Sequence, residues 1–106
     1  MGAETLDRLH RVIAARKGAD PQASYTAKLF SRGRSKIAQK VGEEAVECAL
    51  AAVQDDRPEI VKESADLLYH LLVLWADAGI DPDEIYAELE RREGTSGIAE
   101  KASRPA

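Results

Sequence analysis

The chain has a single cysteine, Cys48, among 106 residues. No disulfide can form within it, and a reducing cytoplasm is the expected setting. Aromatic residues make up only 5%. Alanine, leucine, glutamate and arginine are plentiful instead, which favours helix over strand. No uncharged run is longer than Leu67 to Ala76, which includes His70 and is too short to span a bilayer. There is also no basic excess. Fifteen lysines and arginines face nineteen acidic residues, for a net charge of −4. That balance argues against a general nucleic-acid binder, although a small anionic substrate responds to local charge and stays open. The opening MGAETLDRLHRV carries charges among its apolar positions, so no signal peptide is expected. No segment alternates as a strand would, and no low-complexity run or long linker divides the chain. One domain is expected, of a size that gains buried surface by oligomerising.

What is present is helical punctuation. Leu6, Leu9 and Ile13 recur at helical spacing and predict a first helix over about residues 3–17, closed near Gly18. Ser24 suits the N-cap of a short second helix carrying Ala27, Leu29 and Phe30. The stretch from Ser31 to Arg34 reads as a basic loop. Ser35 is the expected N-cap of a long third helix reaching about Val53, with Ile37, Val41, Ala45, Cys48 and Ala52 as its apolar stripe. After the charged connection Asp55-Asp56-Arg57, Asp56 and Pro58 open a fourth helix that runs to about Ala78 and stops at Gly79. Asp81-Pro82 starts a fifth, with Ile85 and Leu89 inward and Gly94 as its stop. The expected architecture is all-α: an antiparallel pair of long helices with shorter helices flanking them. The domain is expected to occupy residues 1–94, followed by a mobile tail over 95–106.

Four carboxylates stand out. Glu44 and Glu47 are three residues apart on the third helix, and Glu63 and Asp66 are three apart on the fourth. Such spacing puts each pair on one helix face. Any one of these acids reads most simply as part of a solvated surface. Two pairs bordering the apolar faces of neighbouring helices read differently. At about 100° per residue, Lys36, Lys40, Glu43, Glu44 and Glu47 share one sector, and Glu59, Glu63, Asp66 and His70 share another. The apolar face of the fourth helix, with Val61, Leu68, Leu71, Leu72 and Trp75, adjoins the second sector. A hairpin would then point four carboxylates at one spot, which is unfavourable without a cation. All-oxygen donors suit Mg²⁺ or Mn²⁺, with Ca²⁺ also compatible. Zinc would want His or Cys, and a di-iron site would want Glu-x-x-His. His70 reads as a side chain satisfying a buried hydrogen bond, and Cys48 as a small core residue. Lys28, Arg32, Arg34, Lys36 and Lys40 cluster upstream, where a phosphate chain could be neutralised between them and the metal.

These residues also carry a resemblance. Glu43-Glu44-Ala45-Val46-Glu47, followed after fifteen residues by Glu63-Ser64-Ala65-Asp66, matches the EExxE…ExxD signature of the MazG-like all-α nucleoside triphosphate pyrophosphohydrolases. Four longer stretches narrow the match: SYTAKLF at 24–30, KIAQKVGEEAVECALAA at 36–52, ESADLLYHLLVLWADAGI at 63–80, and the ending REGTSGIAEKASRP. Together they closely resemble the phosphoribosyl-ATP pyrophosphohydrolases of histidine biosynthesis, in the stand-alone form without a cyclohydrolase domain. The resemblance implies hydrolysis of phosphoribosyl-ATP to phosphoribosyl-AMP and pyrophosphate by a homodimer. The lone cysteine, the net charge and the short apolar runs add the expectation of a cytoplasmic protein that engages neither nucleic acid nor membrane. The resemblance further implies Mg²⁺, with Mn²⁺ as a substitute, held by Glu44, Glu47, Glu63 and Asp66. On that reading Glu43 or Glu47 orients the attacking water and accepts its proton. Lys36 and Lys40 hold phosphates, and Lys28 meets the phosphoribosyl end. A housekeeping pyrophosphohydrolase for free nucleoside triphosphates is the alternative activity, and a non-enzymatic helical dimerisation module the alternative class.

Overall fold

The computed structural model describes residues 2–105, and every regular element among them is a helix. They are α1 (Gly2–Ala15), α2 (Tyr25–Arg32), α3 (Arg34–Val53), α4 (Arg57–Ala78), α5 (Pro82–Arg92) and α6 (Gly97–Ser103). None is long and apolar enough to cross a membrane. The all-α expectation holds.

Helix ends follow local chemistry. Ser24 accepts from the Ala27 N–H and opens α2, and Asp56 accepts from the Glu59 N–H and opens α4 with Pro58 in its first turn. Asp81 and Glu84 form a reciprocal capping box at the start of α5. The turn between the long helices closes α3 tightly. Asp55 takes a left-handed conformation at φ 54°, and the Asp56 N–H reaches back to the Ala51 carbonyl. Gly79, at φ 72°, closes α4 in the same manner, with the Ile80 N–H on the Trp75 carbonyl.

Two boundaries differ from the sequence expectation. The basic loop at 31–34 is helical except for Gly33, which ends α2 and begins α3. Its φ of 91° and ψ of 177° turn the chain between helices with no linker. Ser35 therefore lies inside α3 and does not cap it. In the stretch 95–106, expected as a mobile tail without apolar periodicity, Ser96 caps the short helix α6. Its buried Glu100 pairs with Arg91 at 2.8 Å and Arg104 at 3.4 Å.

The helices α3 and α4 pack as the central antiparallel hairpin, α1 lies along α4, and α2 along α3. Ile13, Leu29, Ile37, Leu72 and Val73 form the core, with Leu6, Leu9, Phe30, Tyr69 and Trp75 packed around it. Arg34 paired with Asp77 at one end, and Cys48 Sγ 3.5 Å from Ser64 Oγ toward the turn, set the register of the hairpin.

The apolar stripes fall differently from expectation. On α3 the buried line runs through Ile37, Glu44 and Ala51, with Val41 and Cys48 half-buried between them. Ala45 and Ala52, expected inside, are exposed. On α4 Glu63 and His70 are buried with Leu72 and Val73, while Val61 and Leu68 face outward. Leu89 of α5 is also exposed. The polar sectors are turned into the hairpin seam, and part of the apolar surface is turned out.

Leu72 is fully buried at the centre of the core. Leu72→Ala is expected to cost about 2–5 kcal/mol, read as a lower urea midpoint with an unchanged slope. A loss under about 1 kcal/mol would contradict the core assignment.

Candidate functional site

The hairpin register decides the site. With Cys48 opposite Ser64, Glu47 stands opposite Glu63 and Glu44 opposite Asp66. Glu44, Glu63 and Asp66 each offer a carboxylate oxygen within 4.8 Å of the other two. Glu44 is only 7% exposed and Glu63 only 9%. The Oε2 atom of Glu63 is buried with no hydrogen-bond partner. An unpaired carboxylate oxygen facing two further carboxylates is costly in a bare protein and suits a cation ligand. These three residues could hold a hard divalent ion.

Glu47 is exposed at the edge of the cluster, where its carboxyl group meets that of Glu63. Burial pushes the Glu63 carboxyl above its usual range, and the contact with Glu47 and the charges of Asp66 and Glu44 add to the shift. Glu43 stands apart on the solvent side of α3. It accepts from Gln39 Nε2 at 3.1 Å and lies 3.5 Å from Lys40. The Gln39 hydrogen bond, helped by Lys40, holds Glu43 below the usual carboxylate range.

The cations lie where α2 meets α3. Lys28, Arg32, Lys36 and Lys40 line a groove of about 190 Å³ together with Tyr25 and Leu29. Gly33 makes this possible, because the sharp break between the helices brings Lys28 and Arg32 beside Lys36 and Lys40. Lys40 joins groove to acids, its Nζ lying 3.6 Å from Glu44. Desolvation works against the charge on Lys40, but Tyr25, Glu43 and Glu44 outweigh it and raise its pKa. Arg34, grouped with these cations in sequence, turns away to Asp77.

His70 is the buried hydrogen-bonding residue its sequence context suggested. Its Nδ1 lies 2.7 Å from the Asp66 carbonyl, and its Nε2 2.9 Å from the Tyr25 hydroxyl. Tyr25 was not picked out by sequence reasoning. Its only signal is its place at the start of α2, directly after a capping serine. Burial raises the pKa of its hydroxyl, although Lys40 pulls the other way.

The sequence that builds this site has relatives. The family model described as "Phosphoribosyl-ATP pyrophosphohydrolase" matches residues 6–93, which include Glu43, Glu44, Glu47, Glu63 and Asp66 and the lysines of the groove. The chain belongs to the phosphoribosyl-ATP pyrophosphohydrolase family. It is 62% identical to the phosphoribosyl-ATP pyrophosphatase of Azospirillum brasilense, over 98% of this chain and 94% of the relative. Identity to the enzyme of the same name from Paramagnetospirillum magneticum is 64%, over 96% of this chain and 94% of that one. With the relative from Parvibaculum lavamentivorans it is 63%, over the same shares. The family resemblance read from the acidic signature and its flanking stretches therefore holds.

The raised Glu63 carboxyl has a consequence for the metal-free protein. Its folded pKa lies above its unfolded one, so its contribution to stability is lost as pH rises through the carboxylate range. Glu63→Gln is expected to melt higher than the parent at about pH 8 in chelator, with the difference shrinking toward about pH 4. Equal melting temperatures at both pH values would show that no charge conflict exists there.

Proposed function

We propose that this chain hydrolyses phosphoribosyl-ATP to phosphoribosyl-AMP and pyrophosphate, the second step toward histidine, in a Mg²⁺-dependent reaction. The observation that carries the proposal is the convergence of Glu44, Glu63 and Asp66 next to a lysine-lined groove, in a chain of this family. A triphosphate needs both features, a hard cation for its charge and ammonium groups along its length.

Glu44, Glu63 and Asp66 supply the all-oxygen donor set that Mg²⁺ or Mn²⁺ takes, with Glu47 at the rim as the fourth carboxylate. The ion, when bound, offsets charge on the phosphates and on the departing pyrophosphate. Glu47 is exposed enough to meet solvent and is the group that orients the attacking water and accepts its proton. As the water oxygen bonds to phosphorus, the bridge between the α and β phosphates breaks. Attack at the α phosphorus expels pyrophosphate with the electron pair, whereas attack at the β phosphorus expels phosphoribosyl-AMP with it, and both routes give the same two products. Lys36 and Lys40 hold phosphates, and Lys28 with Arg32 meets the phosphoribosyl end. Glu43 is held low by Gln39 and Lys40 and is a poor proton acceptor. Its role is to fix Lys40.

The reading includes a homodimer. Val46, Leu50 and Val53 on α3 and Val61 and Leu68 on α4 are all exposed, with Val53 at 81% and Val61 at 71%. An outward apolar face of that kind on the central hairpin fits a second copy of the chain. A thiol at Cys48 suits a reducing cytoplasm.

Pyrophosphate release from phosphoribosyl-ATP should depend on Mg²⁺ and exceed that from ATP or dCTP. Preference for ATP or dCTP would favour the housekeeping activity. Glu47→Gln should lower kcat by about 10²–10⁴-fold while leaving the helical circular dichroism signal intact. Near-normal Mg²⁺-dependent turnover in that variant would remove Glu47 from the mechanism. Placing charge on the outward face with Leu50→Glu and Val53→Glu should shift the sedimenting species from dimer to monomer. A dimer that survives both changes lies elsewhere.

A further inference from the structure

Tyr25 and His70 form a polar pair that the acids and lysines above do not use. Tyr25 begins α2 and stands between the two halves of the site. It lines the lysine groove with Lys28, Lys36 and Lys40, and also two adjoining cavities, one bordered by Ser31 and the other by Tyr69. Its ring is half exposed, at 52%, yet its hydroxyl is tethered to His70, which is 5% exposed.

The tether has a direction. The Asp66 carbonyl can only accept, so the hydrogen at His70 is on Nδ1, where the contact is 2.7 Å. In the neutral imidazole this leaves Nε2 with a lone pair and no hydrogen. The 2.9 Å contact between Nε2 and the Tyr25 oxygen must then use the tyrosine hydrogen. The hydroxyl has one hydrogen, and it is committed inward. What it presents to the groove is lone pairs alone. T-shaped packing of Tyr25 on His70, and of Tyr69 on His70, keeps the rings from swinging away.

We infer that Tyr25 is a substrate-recognition residue for the nucleoside part of the ligand, with its hydroxyl fixed by His70 as an acceptor for an N–H or O–H of that nucleoside. A phosphate oxygen is also an acceptor and would find no hydrogen at this hydroxyl. Among the groove residues the division of labour is therefore chemical. Lys36 and Lys40 take the phosphate chain, Lys28 takes the phosphoribosyl end, and Tyr25 takes a neutral donor. Two sources can supply that donor, the exocyclic nitrogen of the purine and a sugar hydroxyl. His70 is the positioning residue, acting through Tyr25 and touching no ligand. This inference rests on the adenine-nucleotide reading above.

Tyr25→Phe keeps the ring and removes the oxygen; it leaves the buried Nε2 of His70 without its donor, so a modestly lower melting temperature is expected with the helical circular dichroism signal intact. KM for phosphoribosyl-ATP should rise about five- to tenfold with kcat within about twofold. A fall in kcat at constant KM, or no change in either, would overturn the assignment. Calorimetric titrations identify the donor and stand apart from turnover. If the purine nitrogen is the partner, Tyr25→Phe weakens AMP and leaves purine riboside monophosphate unaffected. If a sugar hydroxyl is the partner, both of these and ribose 5-phosphate weaken together. Inorganic pyrophosphate should bind the parent and the variant alike, and an equal loss there would mean that the hydroxyl serves phosphate. Should phosphoribosyl-ATP not be a substrate at all, a Tyr25-dependent loss for AMP or ribose 5-phosphate would still uphold this inference while the proposed reaction fell. If neither depended on Tyr25, the inference would fall as well.

Discussion

Carboxylates buried against carboxylates in the seam of the α3–α4 hairpin are the constraint on which the rest of this structure depends. Glu44 and Glu63 occupy positions where a helical hairpin would ordinarily place leucine or alanine, on the same lines as Ile37, Ala51 and Val73. Packing gains nothing from these acids, and the unpartnered Glu63 oxygen is a standing cost. The apolar contacts at the other end of the seam and around α1 and α2 must hold the hairpin together. Ile13, Leu29, Ile37, Leu72 and Val73 do this, and they lie on the side of the acids away from the interhelical turn. The fold thus concentrates its stability at one end and its chemistry nearer the other.

Turning the acids inward has two further results. It rotates part of the apolar surface of both long helices outward, leaving Val46, Leu50, Val53 and Val61 exposed. It also sets Lys40 at the boundary, within reach of Glu44 and in the wall of the cationic groove. Metal ligation, phosphate binding and self-association, as proposed for this chain, then share one rotational setting of two helices. Changing that setting would disturb all three. The His70 contacts to Asp66 and Tyr25 extend the same logic, because they link an acid-bearing helix to the helix that walls the groove.

Much of this was legible in the chain before any coordinates. Asp56, Pro58, Gly79 and Asp81 mark helix ends by local hydrogen bonding and backbone freedom, and each does so in the structure. Both acidic pairs were readable from three-residue spacing, and the family from the strings around them. Less legible was which flank of each amphipathic face turns inward. Ideal periodicity places Ala45 as near the core as Glu44, and hydropathy prefers the alanine. The structure buries Glu44 instead and sets it beside Glu63 and Asp66. Gly33 was hidden for another reason. Arginines on both sides suggested a loop, whereas a single residue at φ 91° joins two helices directly.

The sequence by itself determined the helices, most of their ends, the two acidic pairs and the family, because these depend on neighbours within a few residues or on strings that carry over whole. The tertiary structure decided the hairpin register that opposes Glu44 to Asp66 and Glu47 to Glu63. It also decided the separation of Glu43 from that cluster, the diversion of Arg34 to Asp77, and the junction of Tyr25 with His70 across forty-five positions of chain. Each of these depends on how two helices rotate against each other, a property of their shared packing that neither helix encodes alone.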